Sequence, residues 1–118
     1  MTSQKSHIHL VDDDPEVRAG VSLLLESEDF SVRIFTDAQS LLDFVTPATP
    51  GCLILDVRLP DMDGLTLQRQ LKEQNIRMPI LFISGHGDIP MAVRALSEGA
   101  LDFLEKPFTD QTLLEAVQ

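Results

Sequence analysis

The residues able to do chemistry fall in four places: Asp12-Asp13-Asp14, Asp56, Ser84 and Lys106. Adjacent carboxylates repel one another unless a cation sits among them. Neighbouring strands in a sheet lie about 4.8 Å apart, so if the segments before Asp12 and Asp56 pair, Asp12 or Asp13 meets Asp56 at one rim. Few, hard oxygen ligands suit Mg²⁺, which takes one or two protein carboxylates, keeps several waters and completes its shell with phosphate oxygens. Lys106 would add positive charge, and Ser84 a hydroxyl donor. A carboxylate nucleophile, a metal, a lysine and a hydroxyl around one open position suit a phosphoryl group, with Asp56 as the attacking residue.

The elements that would position these groups follow from hydrophobic period. Ile8-His9-Leu10-Val11 reads as a strand running into Asp12, and Asp14 with Pro15 reads as the start of a helix with an apolar face of Val17, Val21, Leu24 and Leu25. Ser31 to Phe35 alternates as a second strand. Thr36 and Gln39 have the spacing of a capping box for a helix carrying Ala38, Leu41, Leu42 and Val45, and Pro47 to Gly51 ends it. Cys52 to Leu55 is continuously apolar, as a central parallel strand should be, and ends at Asp56. Asp61-Met62-Asp63 reads as loop before a helix starting near Gly64. Pro79 to Ile83 is a second buried run, ending at Ser84. Gly85-His86-Gly87 is a pliable loop, Met91 to Glu98 a helix stopped by Gly99, and Leu101 to Glu105 a fifth strand. Thr109 can cap a last helix from Asp110. Five strands each followed by a helix predict an α/β fold, a doubly wound parallel sheet with helices on both faces. Ligands in such sheets gather beyond the carboxyl ends of the strands, where all four groups fall.

Composition narrows the partners. The chain has 118 residues, 43% hydrophobic, enough for one domain and one core. Nineteen acidic residues against nine Lys plus Arg give a net charge of −10, which disfavours direct contact with nucleic acid or anionic membrane. The lone Cys52 cannot form an internal disulfide and reads as a small core residue. With no signal-peptide pattern and no apolar run of membrane-spanning length, a cytoplasmic location is expected. His7 and His9 share one strand face, but no third ligand is evident, so they read as solvated strand-end residues.

Four segments together carry a family resemblance: Val11-Asp12-Asp13-Asp14; Leu55 to Gly64; Ile83-Ser84-Gly85-His86-Gly87; and Phe103-Leu104-Glu105-Lys106-Pro107-Phe108. In this order they resemble the response-regulator receiver domain of bacterial two-component systems over essentially the full length. The resemblance implies a flavodoxin-like (βα)5 fold with strand order 2-1-3-4-5, an N-terminal tail over residues 1–6 and a receiver domain over 7–118. It implies that Asp56 accepts a phosphoryl group from a sensor histidine kinase. Asp13 and Asp56 would bind Mg²⁺ (Mn²⁺ as substitute) through carboxylates, Arg58 through its backbone carbonyl and Asp12 through water. Ser84 and Lys106 would contact the phosphoryl group, Ser84 and Phe103 would form the switch, and the Lys106-Pro107 bond would be cis. Arg58 and His86, two residues beyond Asp56 and Ser84, are expected to tune dephosphorylation.

Phosphorylation places nearly two negative charges and three acceptor oxygens where one carboxylate stood. This is expected to shift the face of the fourth helix, fifth strand and fifth helix toward a homodimer. The segments from Gly85 to Ala95 and Asp102 to Phe108 are most similar to receivers of FixJ-type transcriptional regulators, which implies a C-terminal helix-turn-helix output domain missing here, and a last helix cut short. A receiver of a sigma-54-dependent activator and a single-domain receiver are the alternatives. More distant are an aspartyl-nucleophile phosphohydrolase, whose Asp-x-Asp-x-Thr pattern Val11-Asp12-Asp13-Asp14-Pro15 breaks, and a flavin carrier, whose phosphate three aspartates would repel. The domain is therefore expected to be a signalling phosphoacceptor rather than an enzyme.

Overall fold

A computed structural model describes residues 7–85 and 89–117. Strands and helices alternate: β1 His7–Val11, α1 Pro15–Ser27, β2 Ser31–Phe35, α2 Ala38–Phe44, β3 Cys52–Asp56, α3 Gly64–Glu73, β4 Ile80–Ser84, α4 Ile89–Ser97, β5 Asp102–Glu105 and α5 Asp110–Val117. The five strands form one parallel sheet in the order β2-β1-β3-β4-β5, the flavodoxin-like order expected from the resemblance.

Each central strand is buried on both faces and feeds two cores. On one side Leu53, Leu55 and Phe82 pack with Leu41 of α2, Leu67 and Leu71 of α3 and Ala95 of α4. On the other, Ile8, Leu10, Ile54, Leu81 and Ile83 pack with Val21 and Leu25 of α1 and Leu113 of α5. Right-handed crossovers place helices on both faces in this way. β2 lies at the edge, and Ile34, inward by alternation, stays 43% exposed there.

Helix starts follow cap chemistry. Asp14 accepts from the Glu16 N–H at 2.9 Å with Pro15 in the first turn, and Thr109 Oγ1 accepts from the Thr112 N–H at 3.1 Å. The expected capping box at Thr36 and Gln39 is not formed. Asp37 caps α2 instead, accepting from the Ser40 N–H at 2.8 Å, while the Gln39 amide donates to Asp43. A carboxylate at Asp37, in extended backbone, outcompetes the preceding hydroxyl. α4 begins at Ile89 rather than Met91, and Pro90 in its first turn forfeits no intrahelical hydrogen bond.

His9 corrects the sequence reading: it is 4% exposed rather than solvated. Its Nε2–H donates to the Pro50 carbonyl at 3.1 Å, and its ring stands 6.4 and 5.8 Å from those of Phe35 and Phe44. Burial lowers its pKa. Gly64 opens α3 where a Cβ would lie 2.7 Å from Phe82 Cε1 and 3.1 Å from the Asp56 carbonyl oxygen, so only glycine lets the helix start this close under β3 and β4.

Candidate functional site

The pairing register decides what meets at the carboxyl rim. Val11 is opposite Leu55, so Asp12 and Asp56, each one residue further on, emerge side by side. Ser84 ends β4 opposite Glu105 of β5, and the Lys106 N–H donates to the Ser84 carbonyl at 2.7 Å. Lys106 is thereby aimed back over the sheet.

Its ammonium bridges the two acids, 3.1 Å from Asp12 Oδ2 and 3.3 Å from Asp56 Oδ2. Each acid gives its other oxygen to a backbone amide two residues downstream: Asp12 Oδ1 accepts from Asp14 N–H at 2.9 Å, and Asp56 Oδ1 from Arg58 N–H at 3.1 Å. Both carboxylates are thus held rigidly at loop entrances. Asp12 is fully buried and Asp56 7% exposed, whereas Asp13 is exposed; one oxygen from each of the three lies within 4.8 Å of the others.

The electrostatics are deliberately unbalanced, three carboxylates around one ammonium. Burial raises the Asp56 pKa, and the Asp12 charge adds to this; the Arg58 N–H and Lys106 pull it down without cancelling the rise. Burial works against the Lys106 ammonium, but Asp12 and Asp56 together outweigh it and raise its pKa. An added cation beside Asp13 would relieve the remaining repulsion. The donor set of oxygens alone, one of them on an exposed side chain, fits a hard divalent ion that keeps water.

The other residues singled out from sequence lie around this centre. Ser84 is buried, its hydroxyl donating to the Gly85 carbonyl at 3.1 Å. Phe103 is half-buried on β5, opposite Phe82 and against the core shared with α4. Arg58 is exposed and forms an isolated antiparallel bridge with Asp63. His86 lies outside the described residues. The Lys106-Pro107 bond is cis.

Two residues at the site were missed in the sequence. Arg18 of α1 donates from Nη1 to the Asp12 carbonyl at 3.0 Å, holding the β1–α1 loop. A basic residue in the turn after an acid cluster is a weak signal that could have found it. Asp61 reaches α2, accepting from the Ala38 and Gln39 N–H groups at 3.0 and 2.9 Å. Slight burial opposes its charge, but these amides prevail and lower its pKa. Nothing local in the sequence announces a contact across more than twenty residues.

Comparison with known proteins agrees with this geometry. Residues 8–118 match the response regulator receiver domain. The chain is 50% identical over 118 residues to the response regulator protein TodT of Pseudomonas putida, covering all of this chain and 52% of TodT. It is 45% identical over 114 residues to the transcriptional regulatory protein FixJ of Bradyrhizobium diazoefficiens, covering 97% of this chain and 56% of FixJ. The chain therefore spans about half the length of these curated relatives. Among solved structures, full-length FixJ from B. japonicum superposes with a TM-score of 0.90 at 45% identity, over 98% of this chain and 57% of that one. NtrX from Brucella abortus gives 0.85 at 37% identity, over 95% of this chain and 25% of that one. With the acid pocket, the sheet order and a family match over nearly every residue in agreement, this chain belongs to the response regulator receiver domain family.

Proposed function

We propose that this receiver takes a phosphoryl group from a sensor histidine kinase onto Asp56, in a Mg²⁺-dependent step, and relays the event to an output domain that regulates transcription. The observation that carries the reading is the Asp12, Asp13 and Asp56 cluster bridged by Lys106 at the rim of the central strands. Asp13 and Asp56 would hold Mg²⁺, or Mn²⁺ in its place, with the Arg58 carbonyl, and Asp12 through water. Bound there, the ion would screen the carboxylates and offset charge on the transferring phosphoryl oxygens. An Asp56 carboxylate oxygen attacks the phosphorus of phosphohistidine; a P–O bond forms as the P–N bond breaks, and the imidazole leaves with the electron pair. Lys106 stays bound to Asp12 and neutralises a phosphoryl oxygen, and Ser84 donates its hydroxyl to another.

The half-buried Phe103 would follow Ser84 inward, and Arg58 and His86 at the entrance would tune hydrolysis. The α4-β5-α5 face supports phosphorylation-dependent homodimerisation, since Ile89, Val93, Leu96 and Leu101 expose apolar surface there. We assign residues 7–118 to the receiver; the tail expected over residues 1–6 lies outside the described residues. The net charge of −10 argues against DNA contact by this domain; we assign that contact to an output domain of helix-turn-helix type. No described helix is long and apolar enough to cross a membrane. The cytoplasmic location we assign rests on the receiver family.

Incubation with Mg²⁺ and acetyl phosphate, followed by intact mass measurement, tests the reading. The mass of one phosphoryl group should appear in the wild type and be lost in Asp56→Asn or with chelator; a gain that persists in Asp56→Asn overturns it.

A further inference from the structure

The loop over residues 57–63 carries the Arg58 carbonyl, and its base is closed from within. The Gly64 N–H donates to the Val57 carbonyl at 2.6 Å, Arg58 and Asp63 form an antiparallel bridge, and the Arg58 N–H is held by Asp56. Asp63 is committed to the α3 cap, accepting from the Thr66 N–H at 2.8 Å. Leu59 and Met62 pack on the core.

Asp61, at the apex, takes no part in this closure. It extends to a different element and receives two backbone N–H groups of α2, from Ala38 at 3.0 Å and Gln39 at 2.9 Å. α2 already has its own cap in Asp37, on the Ser40 N–H, so the Asp61 contact ties loop to helix. Between Asp61 and Arg58 stand only Leu59 and Pro60. Proline fixes its own φ and narrows the backbone choices of the residue before it, so a displacement of Asp61 is transmitted to Arg58 with little slack.

We propose that Asp61 is a positioning residue for the phosphoryl site: by clamping the loop apex to α2 it holds the Arg58 carbonyl where the divalent ion needs its third protein oxygen. The inference rests on the Mg²⁺-dependent reading above. Asp61 touches neither ion nor phosphate, and its effect passes through the backbone.

The chain has no Trp or Tyr, so Mg²⁺ affinity is best read from amide chemical shifts in a titration with MgCl₂, comparing wild type, Asp61→Ala, Asp61→Asn and Asp37→Ala. Asp61→Ala should weaken Mg²⁺ binding by about tenfold, the lower end of what losing a ligand's supporting partner costs. Asp61→Asn keeps one acceptor oxygen and should regain most of the affinity. Asp37→Ala removes a cap from the same helix without touching the loop, and should leave Mg²⁺ affinity unchanged even as it lowers Tm. Wild-type affinity in Asp61→Ala would overturn the proposal. So would equal weakening in Asp37→Ala, which would trace the effect to a loosened α2, or in Asp61→Asn, which would trace it to lost charge. Absence of saturable Mg²⁺ shifts in the wild type would instead overturn the Mg²⁺ reading, and this inference with it.

Discussion

Among the described residues, two ion-pair clusters that join elements distant in sequence differ in burial and in balance. At the carboxyl rim Lys106 bridges Asp12 and Asp56, with side chains 23%, 0% and 11% exposed. On the α3–α4 side Arg69 donates from Nε and Nη2 to both Glu98 oxygens, at 2.9 and 2.7 Å, and Lys72 donates to the Glu98 carbonyl, at the surface, with the Arg69 and Glu98 side chains 53% and 25% exposed. The second cluster has the better hydrogen-bond geometry, a planar fork on a carboxylate. It fastens the end of α4 to α3, and solvent screens it. The first has longer contacts and more negative charge than its lysine can neutralise. In a buried place that imbalance suits the added cation and the change of charge on Asp56 that we propose. Good geometry marks the fastening; imbalance under burial marks the chemistry.

The comparison can be broken most forcefully at Lys106. Lys106→Met leaves two buried carboxylates without their ammonium and should cost about 2–3 kcal/mol, somewhat below the range for a fully buried pair because the lysine is partly exposed. The deficit should shrink as pH falls through the raised folded-state value of Asp56, where that carboxylate takes a proton. Chemical denaturation at two pH values checks both statements; a loss below about 0.5 kcal/mol would put the rim on the same footing as the exposed cluster.

A second test sharpens the contrast by pH, because buried groups at the rim and at the far end titrate with opposite sign. Burial raises the Asp56 pKa in the folded state, so its contribution is greatest in acid and is lost as pH rises through the folded value. Asp56→Asn should therefore stabilise the metal-free protein at pH 7, by about 1 kcal/mol. Burial lowers the His9 pKa, so its contribution is present above the unfolded value near 6.5 and is lost as pH falls through the folded one. His9→Phe should flatten the stability profile on the acid side of pH 6.5. Stability measured in buffers from below the unfolded Asp value of 3.8 to above the unfolded His value of 6.5 separates the two, and a wild-type profile that survives both substitutions would contradict the assignment.

The smallest effect is expected at Arg69. Arg69→Ala removes an exposed pair, so Tm should stay close to wild type, and whatever loss occurs should fade in high salt. A loss comparable to that of Lys106→Met would show that α4 depends on the fastening far more than its exposure suggests.

The local features were legible because they are written in short-range chemistry. Period marks every strand, Asp14 and Thr109 are capping residues by type, and an apolar run ending in an acid is visible at Val11-Asp12 and Leu55-Asp56. At Thr36 and Asp37 two adjacent side chains could each cap α2, and backbone conformation chose between them. His9 looked like a solvated histidine because its burial depends on Phe44 and Pro50, both beyond an intervening strand and helix.

The sequence by itself determined which residues end the strands, the excess of acid among them, and the parallel α/β class, since each depends on neighbours within one helical turn or one strand. Tertiary structure alone decided that Asp12 is the buried acid and Asp13 the exposed one, that a single ammonium spans Asp12 and Asp56, and that Asp61 holds α2. Those pairings join residues 94, 50 and 23 positions apart. They exist only once the strand order and register have brought chain ends together, which no local preference encodes.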